Sequence, residues 1–167
     1  DLQHIELGVF HTCHLAGEEG LGLEVLLPAA WLHDCVHVAK DSPNRSKASV
    51  MAADRAVEYL EEVGYPAEYF EAIHHAIEAH SFSAGIETRT MEAAVLQDAD
   101  RLDALGAVGL SRCLMLGGYM GSELMSRVDP FCESREPEDA KFAVDHFYRK
   151  LLKLENTMKT TAGRALA

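Results

Sequence analysis

The chain has 167 residues, of which 48% are hydrophobic and 25% charged, and a net charge of −12. That composition suits one globular domain with a real core, and no run approaches the roughly 18 apolar residues of a membrane span. So acidic a chain argues against a nucleic-acid partner, which needs a basic field to displace counterions. A phosphorylated substrate stays open, because a bound metal reverses the local sign.

Nearly every segment reads as helix, since no period-two alternation is sustained and Gly and Pro punctuate the chain. A first helix is predicted over about residues 1–16, with His4, Leu7 and His11 on one side. After the break Gly17-Glu18-Glu19-Gly20 comes a second, about 23–37. It sets Leu26, Ala30 and His33 at i, i+4 and i+7 on the core-facing stripe, with Asp34 two turns on from Leu27. Pro28 should sit near its first turn or kink it. A polar loop holds Lys40 and Arg45, and Ser46 is the expected N-cap of a third helix, about 47–63, stopped by Gly64. Pro66 opens a fourth helix to about His80, whose inward stripe is Phe70, Ile73, Ile77 and His80. A fifth covers about 90–104. A sixth, about 107–118, carries Arg112 as its lone charge and is expected to be central and buried. Residues 119–136 read as irregular, and a last amphipathic helix is predicted over about 138–154. The cysteines Cys13, Cys35, Cys113 and Cys132 show no CxxC pair, which points to free thiols and a cytoplasmic protein.

A carboxylate at the end of the apolar run Leu26–Leu32 is costly unless something compensates it. A divalent cation would do so and would use the imidazole of His33 as well; a capping Asp34 or an Asp–Arg pair is the alternative. Three further pieces favour the cation. His4 lies on the preceding helix. Asp98, Asp100 and Asp103 put three carboxylates within six residues of the fifth helix. His74, His75 and His80 flank the end of the fourth, and only His146 of the nine histidines lies beyond residue 80. Two imidazoles and two carboxylates suit a borderline-to-hard divalent metal with positions left for water or a phosphoryl oxygen. Periodicity alone leaves Asp98, Asp100 and Asp103 competing for the carboxylate role.

The order His4, His33-Asp34, Asp100 resembles the HD superfamily of metal-dependent phosphohydrolases. The blocks 33–40, 76–83, 97–106, 129–131 and 151–154, in that order, resemble its small bacterial YedJ/YpgQ-like branch over essentially the whole chain. The resemblance implies an all-α, single-domain HD-type bundle of about seven helices over residues 1–167, cut short at both termini relative to the family, with a metal site between helices. It implies metal ligation by His4, His33, Asp34 and Asp100, the last because it directly precedes Arg101, with Asp98 and Asp103 orienting ligands or water. The expected ion is Mn²⁺, with Mg²⁺, Ni²⁺ and Fe²⁺ as alternatives, and a second ion if His75 and His80 are ligands. Asp34 or Asp103 would accept the water's proton, and Lys40, Arg45, His75 and His80 would neutralise the phosphate chain. The expected reaction cuts a nucleoside triphosphate to monophosphate and pyrophosphate. A 5′-nucleotidase, a phosphodiesterase and a non-catalytic metal- or nucleotide-binding module stand as alternatives. A homodimer also stays open, through the uncharged sixth helix.

Overall fold

A computed structural model describes residues 2–38 and 44–167. Lys40 lies outside the described residues, and so does the side chain of Arg45. The described residues form eight α-helices: α1 (Leu2–Glu19), α2 (Leu23–Leu32), α3 (Ala48–Glu62), α4 (Phe70–His80), α5 (Met91–Asp103), α6 (Gly106–Met120), α7 (Asp145–Arg149) and α8 (Thr161–Leu166). The protein is all-α as expected, and the described residues hold no strand beyond a single bridge between Glu123 and Phe142. No described helix is long and apolar enough to cross a membrane, and all four cysteines are free. The chain divides into two compact units, Asp1–Asp100 with Lys159–Leu166, and Arg101–Met158 with Ala167.

In the first unit α1 packs on α2, α2 on α4, and α3 on α4. Small residues let the axes approach: Ala29 and Ala30 of α2, Ala52, Ala53 and Ala56 of α3, and Ala76 and Ala79 of α4 are all buried. Leu15, Leu26, Ile73 and Ile77 on these helices are fully buried. The buried face of α1 is Gly8, Thr12, Leu15 and Ala16, while His4, Leu7 and His11 are half-buried. A β-carbon on Gly8 would lie 3.7 Å from Cε1 of His33, an ordinary contact distance, so this face of α1 packs against the His33 ring.

Helix α2 ends at Leu32, earlier than the sequence suggests. His33 caps it with φ −57° and ψ −30°, still helical values, so Leu26, Ala30 and His33 share the buried stripe as expected. Asp34 falls in the turn beyond, and its side chain is 54% exposed. The expectation of a carboxylate driven into an apolar interior is therefore corrected: the imidazole is buried and the carboxylate stands at the rim. Ser46 lies in a short 3₁₀ turn (Arg45–Lys47), so Lys47 rather than Ser46 precedes α3. Gly64, at φ +74°, follows α3 in the left-handed conformation that ends helices.

The second unit departs further. Helix α6 is mostly exposed rather than buried, with Met115 74% and Tyr119 90% exposed. Its attachment is narrow. Gly109 and Gly117 are its buried residues, and a β-carbon at Gly117 would lie 2.5 Å from Cβ of Ala143. A helix held by a glycine stripe needs only one close face, and lack of charge elsewhere does not by itself bury it. The expected helix over 138–154 is broken. Ala143 N–H donates to Glu123 and Val144 N–H to Leu124, while Lys141 accepts from Glu123 N–H. Those cross-chain bonds take the groups that a continuous helix would use, so only Asp145–Arg149 remains α-helical. Arg135 reinforces the break by gripping both oxygens of the buried Asp145. That guanidinium pulls the Asp145 carboxyl down to about 2.

Candidate metal centre

Four side chains from three helices of the first unit converge. His4 comes from the start of α1, His33 and Asp34 from the end of α2, and Asp100 from α5. His4 Nε2 lies 3.5 Å from Asp34 Oδ2 and 3.6 Å from Asp100 Oδ1. His33 Nε2 lies 4.0 Å from the same Asp100 oxygen. Neighbouring ligands on an ion with bonds near 2.1 Å are about 3.0 Å apart in an octahedron and about 3.4 Å in a tetrahedron. The His4 separations exceed a tetrahedral edge by about 0.1–0.2 Å and the His33–Asp100 separation by about 0.6 Å; His4, His33 and Asp100 hold donor atoms within 4.8 Å of one another, and Asp34 reaches this set through His4.

His33 supplies the test of fit. Its Nδ1 lies 2.8 Å from the Ala30 carbonyl. A carbonyl only accepts, so the proton sits on Nδ1 and Nε2 presents a lone pair to the cluster. That Nε2 is buried and has no hydrogen-bond partner. Burial and the nearby His80 push the His33 pKa down, which keeps the ring neutral. A neutral, oriented imidazole whose free lone pair faces two carboxylates is the form in which histidine binds a metal. Asp34 is complementary. The His4 imidazole beside it holds its carboxyl well below the usual carboxylate range, so it remains an anion.

His80 belongs to this group more closely than the sequence suggests. Its Nδ1 donates to the Ile77 carbonyl, which turns Nε2 toward Asp34 Oδ1 at 3.8 Å. Its ring stands edge-on to His33 with centroids 5.0 Å apart. Two overlapping sets, His4–His33–Asp100 and His33–Asp34–His80, each hold donor atoms within 4.8 Å of one another. His75 is in neither set. Its Nε2 accepts from Arg89 N–H at 3.0 Å, so its Nδ1 carries the proton and donates to Glu78 Oε1 at 2.9 Å. Both ring nitrogens are engaged in tethering the loop after α4. His74 bonds Asp54 at 2.9 Å.

The other acids of α5 are likewise committed. Asp98 is fully buried and accepts from the backbone of Lys159 and Thr160 and from the Thr160 hydroxyl, so it touches chain 61 and 62 residues away rather than a ligand. Asp103 is buried in an ion pair with Arg112, and neither donor set includes it. Sequence reasoning missed Arg89, an exposed cation 3.7 Å from Glu78 and tied to His75 through its backbone; no spacing rule marks a loop arginine.

A family model for the HD domain matches residues 2–105, the stretch that holds every residue of the cluster. The chain belongs to the HD domain family. It is 30% identical to the Bacillus subtilis protein YpgQ, over all of this chain and 75% of that one. A crystal structure of YpgQ in complex with ADP superposes with a TM-score of 0.76 at 30% identity, covering 99% of this chain and 76% of that one. An HD-superfamily hydrolase from Bacillus thuringiensis gives 0.72 at 28% identity, with 98% and 74% covered. Within that superfamily, the cluster is a His/Asp group of the kind that could hold a divalent metal.

Proposed function

We propose that this HD-domain protein is a divalent-metal-dependent phosphohydrolase of small nucleotides that cuts a nucleoside triphosphate to monophosphate and pyrophosphate. The observation that carries the metal reading is the bare, buried Nε2 of His33 set among His4, Asp34 and Asp100. The nucleotide reading is supported by the relative crystallised with ADP. Mn²⁺ suits this mixed imidazole and carboxylate set, with Mg²⁺, Ni²⁺ and Fe²⁺ as competitors. Such an ion, when bound, polarises a phosphoryl oxygen and lowers the pKa of a water.

The protein's own residues divide the remaining work. His33, His4, Asp100 and Asp34 would hold the ion, with the half-exposed Asp34 carboxylate the one of the four most open to solvent. Because Asp34 is kept ionised by its hydrogen bond with His4, it is a good ligand and a weak base. The proton released as water attacks the α-phosphorus goes to His80 Nε2, whose lone pair faces Asp34. The P–O bond to water forms as the bond to the bridging oxygen breaks, and pyrophosphate leaves with the electron pair. Lys40 and Arg45, in the segment between α2 and α3, are the cations nearest in sequence for the leaving charge.

The experiment is a panel of nucleoside mono-, di- and triphosphates and cyclic nucleotides with Mn²⁺, read by separate phosphate and pyrophosphate detection. Triphosphates should release pyrophosphate and no phosphate. His33→Ala and Asp34→Ala should lose turnover, and retained activity in either would refute the proposal. Phosphate from monophosphates would mark a 5′-nucleotidase, and monophosphate from cyclic nucleotides a phosphodiesterase.

A further inference from the structure

Asp98 is spent on chain that lies far away in sequence, and the bonds are complete. Its carboxylate accepts from Lys159 N–H on both oxygens at 2.9 and 3.0 Å, from Thr160 N–H at 2.7 Å and from the Thr160 hydroxyl at 2.8 Å. The same hydroxyl accepts from Gly163 N–H at 2.9 Å. Gly163 sits so close that a β-carbon would overlap Asp98 Oδ2. At the other side of this segment, Ala162 N–H donates to Glu19 at the end of α1 at 2.8 Å. Residues 159–163 therefore bridge α5 to α1, the two helices that carry Asp100 and His4.

Asp98 and Asp100 are two positions apart, so about 200° of helix separates their directions. A clamp on Asp98 fixes the rotation of α5 and with it the direction of Asp100. We propose that Asp98 is a positioning residue: by gripping residues 159–163 it sets Asp100 against His4 and His33, which makes the C-terminal segment part of the metal-binding apparatus. The inference rests on the cluster being a metal site. It differs from ordinary packing because it makes the affinity for metal, and not only stability, depend on a bond that touches no ligand.

The test uses the whole chain and Mn²⁺ titrated calorimetrically, with melting curves and amide hydrogen exchange taken in EDTA. Asp98→Ala should weaken Mn²⁺ binding by about tenfold or more and speed exchange of the α5 amides around residue 100 before any metal is added. Asp98→Asn, which keeps one acceptor oxygen, should fall between it and the wild type. Thr160→Val, a milder cut that keeps the backbone bonds, should weaken binding by about threefold and guards against an Asp98→Ala chain that does not fold. If wild type binds Mn²⁺ and the variants bind it equally well, even with lowered melting temperatures, this inference fails alone. If wild type binds no divalent ion, the metal reading fails and this inference with it.

Discussion

His33→Leu separates a metal ligand from an ordinary core histidine by the sign of its effect. Without metal, the bare buried Nε2 costs the wild type about 1–3 kcal/mol, and the Nδ1–H bond to Ala30 returns about 1 kcal/mol. Leucine removes both and is close in size. In EDTA the variant should thus lie between the wild type's stability and about 2 kcal/mol above it. At about 2–4 °C per kcal/mol for a chain of this length, that is a Tm about 0–8 °C higher. Mn²⁺ at about 100 times its Kd should then add about 2.7 kcal/mol, or about 5–11 °C, to the wild type. It should add nothing to the variant, so the two Tm values change order when metal is added. Scanning calorimetry with EDTA and with Mn²⁺ reads this directly. A variant more than about 2 kcal/mol less stable in EDTA would show His33 to be a structural part of the core, and an undiminished Mn²⁺ shift would show that it is no ligand.

Other consequences concern the second unit. The Asp145 carboxyl is depressed from 3.8 to about 2 by Arg135, so the pair's contribution is complete above pH 3.8 and is lost as pH falls toward 2. Tm against pH should show this acid arm in wild type and a shallower one in Asp145→Asn, which should also melt lower at neutral pH; parallel curves would contradict it. Gly117→Ala should cost about 1–3 kcal/mol by forcing a methyl onto Ala143, and Ala143→Gly should recover part of the loss in a double-mutant cycle. Met115→Lys and Tyr119→Lys on the exposed side of α6 should change stability by about 0.5 kcal/mol or less; losses several times larger would mean that these side chains are packed after all.

The helices and most of their ends were legible because Gly64, Pro66 and the apolar periods are local signals. The order of His4, His33, Asp34 and Asp100 was legible too, and the structure brings these four together. Their individual settings were not. Asp34 stands at the rim because α2 stops at Leu32, two residues before it, and no residue there marks the stop. His75 and His80 look alike in sequence; they differ because Arg89 N–H caps one ring and a carbonyl in the preceding turn orients the other. Asp98 and Asp103 could not be sorted from Asp100 by period. Their partners, Thr160 and Arg112, are chosen by the fold. The last helix failed for the same reason, since Glu123 and Leu124, more than fifteen residues upstream, take its backbone groups. Helix α6 misled because composition reports absence of charge, not presence of a neighbour.

The metal content of the protein tests the central claim most directly. Purified protein equilibrated with Mn²⁺ and freed of excess ion should retain manganese, and His33→Ala and Asp100→Ala, folded by circular dichroism, should retain almost none. Wild type without bound metal, or variants that hold as much as wild type, would contradict it.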